Sequence, residues 1–232
     1  MTVTIIAEAG SGPAPAWEFA RWCDAAQQAG ATAIKMQMFR AESFPAPEQA
    51  SKRPLEFPRE RLEEFCYSAH MRGLLAGVSV FDTDAAEHAA RTCDFVKLAA
   101  REASNFPLIM ATANAAILFG RPLYRSITTL DELYRLDGII HFWTVPQYPA
   151  SLVLSCLRLL QAARYFRYHN MPFGWSSHTR GTGLDCVLAS RLGATVIEKH
   201  IDLDGHGIEH GHSLTPVRFR LMADAIRSYE RT

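Results

Sequence analysis

Short β-branched and aromatic runs alternate with amphipathic stretches along this whole sequence, and that alternation limits the folds open to it. The strand candidates are TIIAEAG, TAIKMQMF, LLAGVSVF, FVKLAA, PLYRSI, GIIHFWT, PFGWSSHT and TVIEKHIDL, each bounded by turn residues. Between them lie helix candidates such as WEFARWCDAAQQAG, RERLEEFCYSAHMRG, TDAAEHAARTC, LVLSCLRLLQAARYF and GLDCVLASRLGA, several closed by a glycine in the manner of a helix C-cap. The segments after the fourth and fifth strands read as weaker helices. About eight strand–helix repeats fit a closed (β/α)8 TIM barrel better than an open sheet, although a doubly wound sheet shares the same alternation. No linker or shift in composition interrupts residues 1–232, so one α/β barrel domain is expected.

Composition narrows the setting. Hydrophobic residues make up 48% of the chain and the formal net charge is zero, which supplies a core and gives no bias towards nucleic acid or a membrane surface. Charge, Gly or Pro breaks every apolar run, and the N-terminus lacks a basic region followed by an apolar stretch. A cytoplasmic protein is expected. The five cysteines are odd in number, scattered and without CxxC spacing, which reads as reduced thiols in helices or core.

In a barrel of this kind, functional groups gather where strands end. Polar residues do collect there: Glu8 on the first strand, Lys35 and Gln37 on the second, Ser79 on the third, Lys97 on the fourth, Ser126 on the fifth, Ser176 and His178 on the seventh, Glu198 and His200 on the eighth. Strand side chains alternate faces, so Lys35 and Gln37, Ser176 and His178, and Glu198 and His200 each form a pair that can point inward together. Neighbouring strands run about 4.8 Å apart, close enough for His178 and His200 to share one divalent ion. A lone strand-end histidine can equally serve a loop hydrogen bond.

Five stretches then carry a family likeness: IIAEAG, AGATAIKMQMF, FVKLAAREASNFPLI, GWSSHTRG and GATVIEKHIDLD. Through them the chain resembles, along nearly its whole length, the barrel domain of the sialic acid synthases. That family condenses phosphoenolpyruvate with an N-acetylated amino sugar. The resemblance implies metal binding by His178 and His200, with Mn²⁺ or another divalent ion as cofactor. It places Lys35, Gln37, Lys97 and Glu102 at matching family positions, with the lysines suited to the carboxylate and phosphate of phosphoenolpyruvate. Ser79, Ser126 and Ser176 fall where the family places hydroxyls around the same ligand. Glu8 matches a glutamate near the metal and its waters, and Glu198 is expected to orient His200, to assist proton transfer or to serve as a buried structural partner. Tyr148 aligns with a sugar-contacting tyrosine, Glu209 replaces a sugar-contacting aspartate, and His210 falls on a histidine beside it. The implied partners are phosphoenolpyruvate and an aldehyde sugar acceptor, with a homodimer as a general expectation for such barrels.

Departures from the family pattern are as informative. Its Asn-His-Asn-Gly after the first strand reads SGPA here, Ser11 to Ala14, and its Ser-Gly after the fourth strand reads Ala100-Arg101. Arg101 or Arg125 is a candidate replacement phosphate clamp, or a structural arginine paired to a carboxylate. Pro146 stands near an expected asparagine, and Ser177 stands for the aspartate before the metal histidine. The family usually appends an antifreeze-like domain that contacts the sugar's N-acetyl group; this sequence runs only one helix past the barrel, so that contact is expected to be missing. His206 and His212, in the loop DGHGIEHGHS, are read as solvated or as extending a metal site. Besides the synthase reading, the residues leave open a degenerate barrel that binds without turnover, and an aldolase or isomerase using Lys97 as a Schiff base.

Overall fold

The computed structural model describes residues 2–14, 16–133 and 138–230. Eight strands, β1 (Thr4–Gly10), β2 (Ala33–Met38), β3 (Leu75–Val80), β4 (Phe95–Leu98), β5 (Leu123–Ile127), β6 (Ile139–Thr144), β7 (Phe173–Ser177) and β8 (Val196–His200), form a closed barrel in chain order. All pairings are parallel, and β8 returns to β1 with Glu8 beside His200. The expected (β/α)8 barrel is therefore the observed fold, and the open sheet is excluded.

An outer layer of helices comprises α1 (Phe19–Gln28), α2 (Ala46–Lys52), α3 (Leu62–His70), α4 (Thr83–Thr92), α5 (Phe106–Leu118), α6 (Leu152–Tyr168), α7 (Leu184–Arg191) and α8 (Pro216–Glu230). In α1 the buried Phe19, Trp22, Cys23 and Ala26 recur at three and four residues, the spacing of one helix face. The segment after β4 is not a weak helix. Over 13 residues α5 runs regularly, started by Asn105, whose side chain accepts from the Leu108 N–H, and by Pro107 in its first turn. Its apolar residues surround the axis, with Ile117 and Leu118 outside, so no amphipathic period announces it. After β5 the described residues contain only a short 3₁₀ turn, Leu130–Glu132, closed by a Thr129/Glu132 capping box. The segment between β2 and α3 contains α2, a short helix with no buried residue. Among the described residues, no helix is long and apolar enough to cross a membrane.

Inside the barrel, Ile6, Ala33, Phe95, Tyr124, Phe142 and Val196 form a buried apolar layer. The rings of Phe95, Tyr124 and Phe142 pack in sequence at 5.2 and 5.1 Å. Gly77 makes room for them: a Cβ there would lie 2.2 Å from the Phe95 ring. Strand side chains repeat faces every second residue. Two residues further along the eight strands therefore stand Glu8, Lys35, Ser79, Lys97, Ser126, Thr144, Ser176 and Glu198, a wholly polar layer on the apolar plug.

Candidate active site

That polar layer is the floor of a cavity of about 530 Å³ at the C-terminal ends of the strands. Burial leaves its charges little water, so they pair with one another. Lys35 Nζ forms an ion pair with Glu8, donates to Ser79 Oγ at 2.6 Å and lies 3.7 Å from Glu198. Lys97 Nζ binds Glu198 Oε1, which also accepts from Ser176 Oγ at 2.8 Å. The other carboxylate oxygen of Glu198 accepts no hydrogen bond. Glu8 is held in turn by the Gly10 N–H, at 2.6 Å.

Burial pulls the Lys35 pKa down to about 7 against the attraction of Glu198. Burial alone would raise Glu198, but Lys35 and Lys97 hold its carboxyl well below the usual range. Two lysines and two carboxylates thus share one dry floor, and an arriving anion finds cations already in place.

One level higher lie the histidines. His178 presents Nδ1 to the Val145 carbonyl at 3.0 Å and to Thr144 Oγ1 at 3.2 Å. Donation to the carbonyl leaves Nε2 unprotonated, and burial together with nearby His200 keeps the ring neutral by lowering its pKa well below the ordinary value. His200 Nδ1 is bonded to Glu209 Oε2 at 2.7 Å, which likewise fixes its ring. The two ring centres are 5.6 Å apart. Oriented imidazoles whose Nδ1 atoms face a carbonyl and a carboxylate have the chemistry of metal ligands. Tyr148 covers them from the mouth, its ring 4.2 Å from that of His178.

Of the residues expected from the sequence, Glu8, Lys35, Gln37, Ser79, Lys97, Ser126, Tyr148, Ser176, His178, Glu198, His200 and Glu209 all line this cavity. Glu198 meets Lys97 and Ser176 rather than hydrogen-bonding His200. Glu102 stands behind the wall: its carboxylate accepts from Arg101 Nε and Asn105 Nδ2, both at 2.9 Å, and so positions Arg101. His210 points elsewhere, exposed and bonded through Nδ1 to the Gly207 carbonyl. His212 occupies the cavity instead, its ring 4.5 Å from that of His200. Of the two candidate arginines, Arg125 is wholly buried against the Ala103 and Glu132 carbonyls, whereas Arg101 lines the mouth.

Sequence reasoning missed Thr144, which strand parity from Phe142 identifies. It also missed the segment after β2: Phe44 there carries Arg101 at 4.1 Å and Lys52 at 5.0 Å over its ring, and both cations border the cavity.

A (β/α)8 barrel with paired lysines under paired histidines defines a class of enzyme-like site for a small anionic ligand. The chain belongs to the NeuB family, whose model matches residues 22–232. It is 28% identical over 193 residues to the N-acetylneuraminate-9-phosphate synthase of Mus musculus, covering 78% of this chain and 52% of that one. It is 29% identical over 240 residues to the spore coat polysaccharide biosynthesis protein SpsE of Bacillus subtilis, covering 89% and 62%. The chain thus spans roughly half to three-fifths of the length of these relatives. The fold matches the N-acetylneuraminic acid synthetase of Leptospira borgpetersenii with a TM-score of 0.89, over 100% of this chain and 85% of that one at 23% identity.

Proposed function

We propose that this protein condenses phosphoenolpyruvate with an aldehyde sugar, an N-acetylated amino sugar or a related acceptor, to give a 2-oxo sugar acid and free phosphate. One observation carries the reading: Lys35 and Lys97, fixed by Glu8 and Glu198, lie at the floor of the cavity directly beneath His178 and His200. The names of the relatives, a sugar acid synthase and a polysaccharide biosynthesis protein, support the same chemistry.

Lys35 and Lys97 hold the carboxylate and phosphate of phosphoenolpyruvate, with hydroxyls of Ser79, Ser126 and Ser176 completing the cradle. Arg101 at the mouth adds positive charge next to Ala100, which stands where the family has a hydroxyl. The acceptor lies above, against Tyr148, with its aldehyde carbon facing carbon 3 of phosphoenolpyruvate. Carbon 3 bonds to that carbon, the aldehyde oxygen becomes a hydroxyl, water adds at carbon 2, and phosphate leaves by C–O cleavage. Glu8, in register with His200 on the neighbouring strand, orients the water and accepts its proton. His178 and His200 are the residues that would hold a divalent ion, Mn²⁺ by family likeness. Bound there, such an ion supplies Lewis-acid polarisation of the acceptor's aldehyde oxygen. We place residues 1–232 in one barrel unit working in the cytoplasm, a setting that suits five cysteines without a disulfide.

The test is phosphate release from phosphoenolpyruvate with a panel of N-acetylated amino sugars and Mn²⁺, together with calorimetric titration of phosphoenolpyruvate. Turnover with one acceptor supports the synthase. Absence of both binding and turnover replaces it with the degenerate barrel, which the altered Ser11–Ala14 and Ala100–Arg101 loops favour. Trapping by borohydride would instead indicate a Schiff base on Lys97.

A further inference from the structure

We propose that His212 is a third imidazole ligand, so that the ion in this cavity is held by His178, His200 and His212 rather than by a histidine pair. The inference rests on the reading above that the cavity binds a divalent ion. It begins with a side chain that has no other employment. The His212 ring is nine-tenths buried, lines the cavity, and among the described residues neither of its nitrogens takes part in a hydrogen bond. An imidazole that lines the cavity with no hydrogen-bond partner among the described residues leaves its nitrogens free to meet whatever enters there.

Geometry says what that is. With a metal–nitrogen bond of about 2.1 Å, the centre of a bound ring lies about 3.2 Å from the ion, so two rings stand about 4.5 Å apart at a right angle and about 5.5 Å apart at 120°. The observed separations are 4.5 Å for His200 and His212, 5.6 Å for His178 and His200, and 5.8 Å for His178 and His212. The spacing of the three ring centres thus admits one ion among them, although the nitrogens as they stand gather only around His200 and His212. Possible donor atoms of His200, Glu209 and His212 lie within 4.8 Å of one another, a group that does not extend to His178. His212 is thus nearer to His200 than is the partner expected from the sequence.

The loop holding His212 is anchored. Leu214 bridges to Ile201 just beyond β8, Ser213 Oγ donates to the Glu209 carbonyl at 2.7 Å, and the edge of the Tyr148 ring meets His212 at 5.1 Å. Glu209 has a different task. Its oxygen faces His200 Nδ1, and Gly10 permits the approach, since a Cβ there would lie 2.3 Å from the carboxylate. Three nitrogens in place of two raise affinity and shift preference from Mg²⁺ and Mn²⁺ towards Co²⁺ and Zn²⁺.

The experiment uses metal-free full-length protein titrated with Mn²⁺ and Co²⁺, reading calorimetric affinity and the visible Co²⁺ absorption. His212→Phe keeps the ring volume and removes both nitrogens; His212→Gln is a second variant in case the first disturbs folding, which circular dichroism checks. Both are expected to weaken Co²⁺ binding by at least about tenfold and to change the Co²⁺ spectrum, while His206→Ala on the exposed loop leaves both unchanged. If His200→Ala weakens binding but the His212 variants keep wild-type affinity and spectrum, the third ligand is refuted and the metal site stands. If wild type binds neither ion, or His178→Ala and His200→Ala bind as wild type does, the metal reading itself falls and this inference with it.

Discussion

Lys97 on β4 and Glu198 on β8 stand on opposite walls of the eight-stranded barrel and join across it, Nζ to Oε1. The contact spans 101 residues of sequence and closes the cavity floor without help from any loop. Both partners are buried; without Glu198, Lys97 loses its ion pair, whereas without Lys97, Glu198 keeps Lys35 at 3.7 Å and Ser176 at 2.8 Å. Replacing Lys97 by Met removes a ligand cation and leaves Glu198 with Lys35 and Ser176 alone. Loss of measurable phosphoenolpyruvate binding is expected by calorimetry. Glu198→Gln, which leaves both lysines free of the competing carboxylate, should retain that binding yet reduce phosphate release by about 10²-fold or more. Unchanged turnover would remove Glu198 from the reaction.

The histidine level predicts separable losses. His178→Ala or His200→Ala should retain the fold by circular dichroism while losing bound metal and turnover, with metal affinity falling by at least the about 10–100-fold seen for outer partners of ligands. Metal content after dialysis measures this, and chelation of wild type should reproduce the activity loss.

Lys35 sets a pH limit. Its pKa is drawn down to about 7, so it carries its charge below neutrality and loses it as pH rises past that point. Phosphoenolpyruvate affinity should decline through that step when titrated between about pH 6 and about pH 9. Lys35→Arg keeps its charge over this range and should flatten the profile. A wild-type affinity that stays level across neutrality contradicts the assignment.

Stability at the site's edge depends on a buried carboxylate outside the cavity. Asp185 on α7 accepts from Trp175 Nε1 at 2.9 Å and from Thr179 Oγ1 at 2.8 Å, tying the end of β7 to the helix beyond it. Asp185→Ala leaves the buried Trp175 N–H unpaired and Thr179 with Ser177 alone, and should cost about 1–3 kcal/mol in urea unfolding. A cost within experimental error would show that the donors find other partners.

How much of this was legible in the sequence follows from periodicity. The strands were readable because turn residues bound β-branched runs, and strand parity alone carries Ile6 to Glu8, Phe95 to Lys97 and Val196 to Glu198 onto one inward face. Where no period exists, legibility ends. The loop after β8 turns through a short 3₁₀ helix that brings His212 inward and sends His210 to solvent, a choice set by backbone geometry rather than by residue type. Glu102, expected at the ligand, does not line the cavity, because its partner Arg101 occupies the wall in front of it. The regular α5 escaped because apolar residues on all sides mask a helical face.

The depth of the lysines also has a kinetic meaning. Lys35 and Lys97 are 1% and 3% exposed, while Tyr148 above the histidines is 58% exposed. A molecule gripped by the lysines must pass the histidine level on its way in, and one resting against Tyr148 would bar that route. Two substrates using these two levels bind in compulsory sequence: the deep one is inhibited competitively by its own analogues, and a tightly bound upper ligand slows its escape.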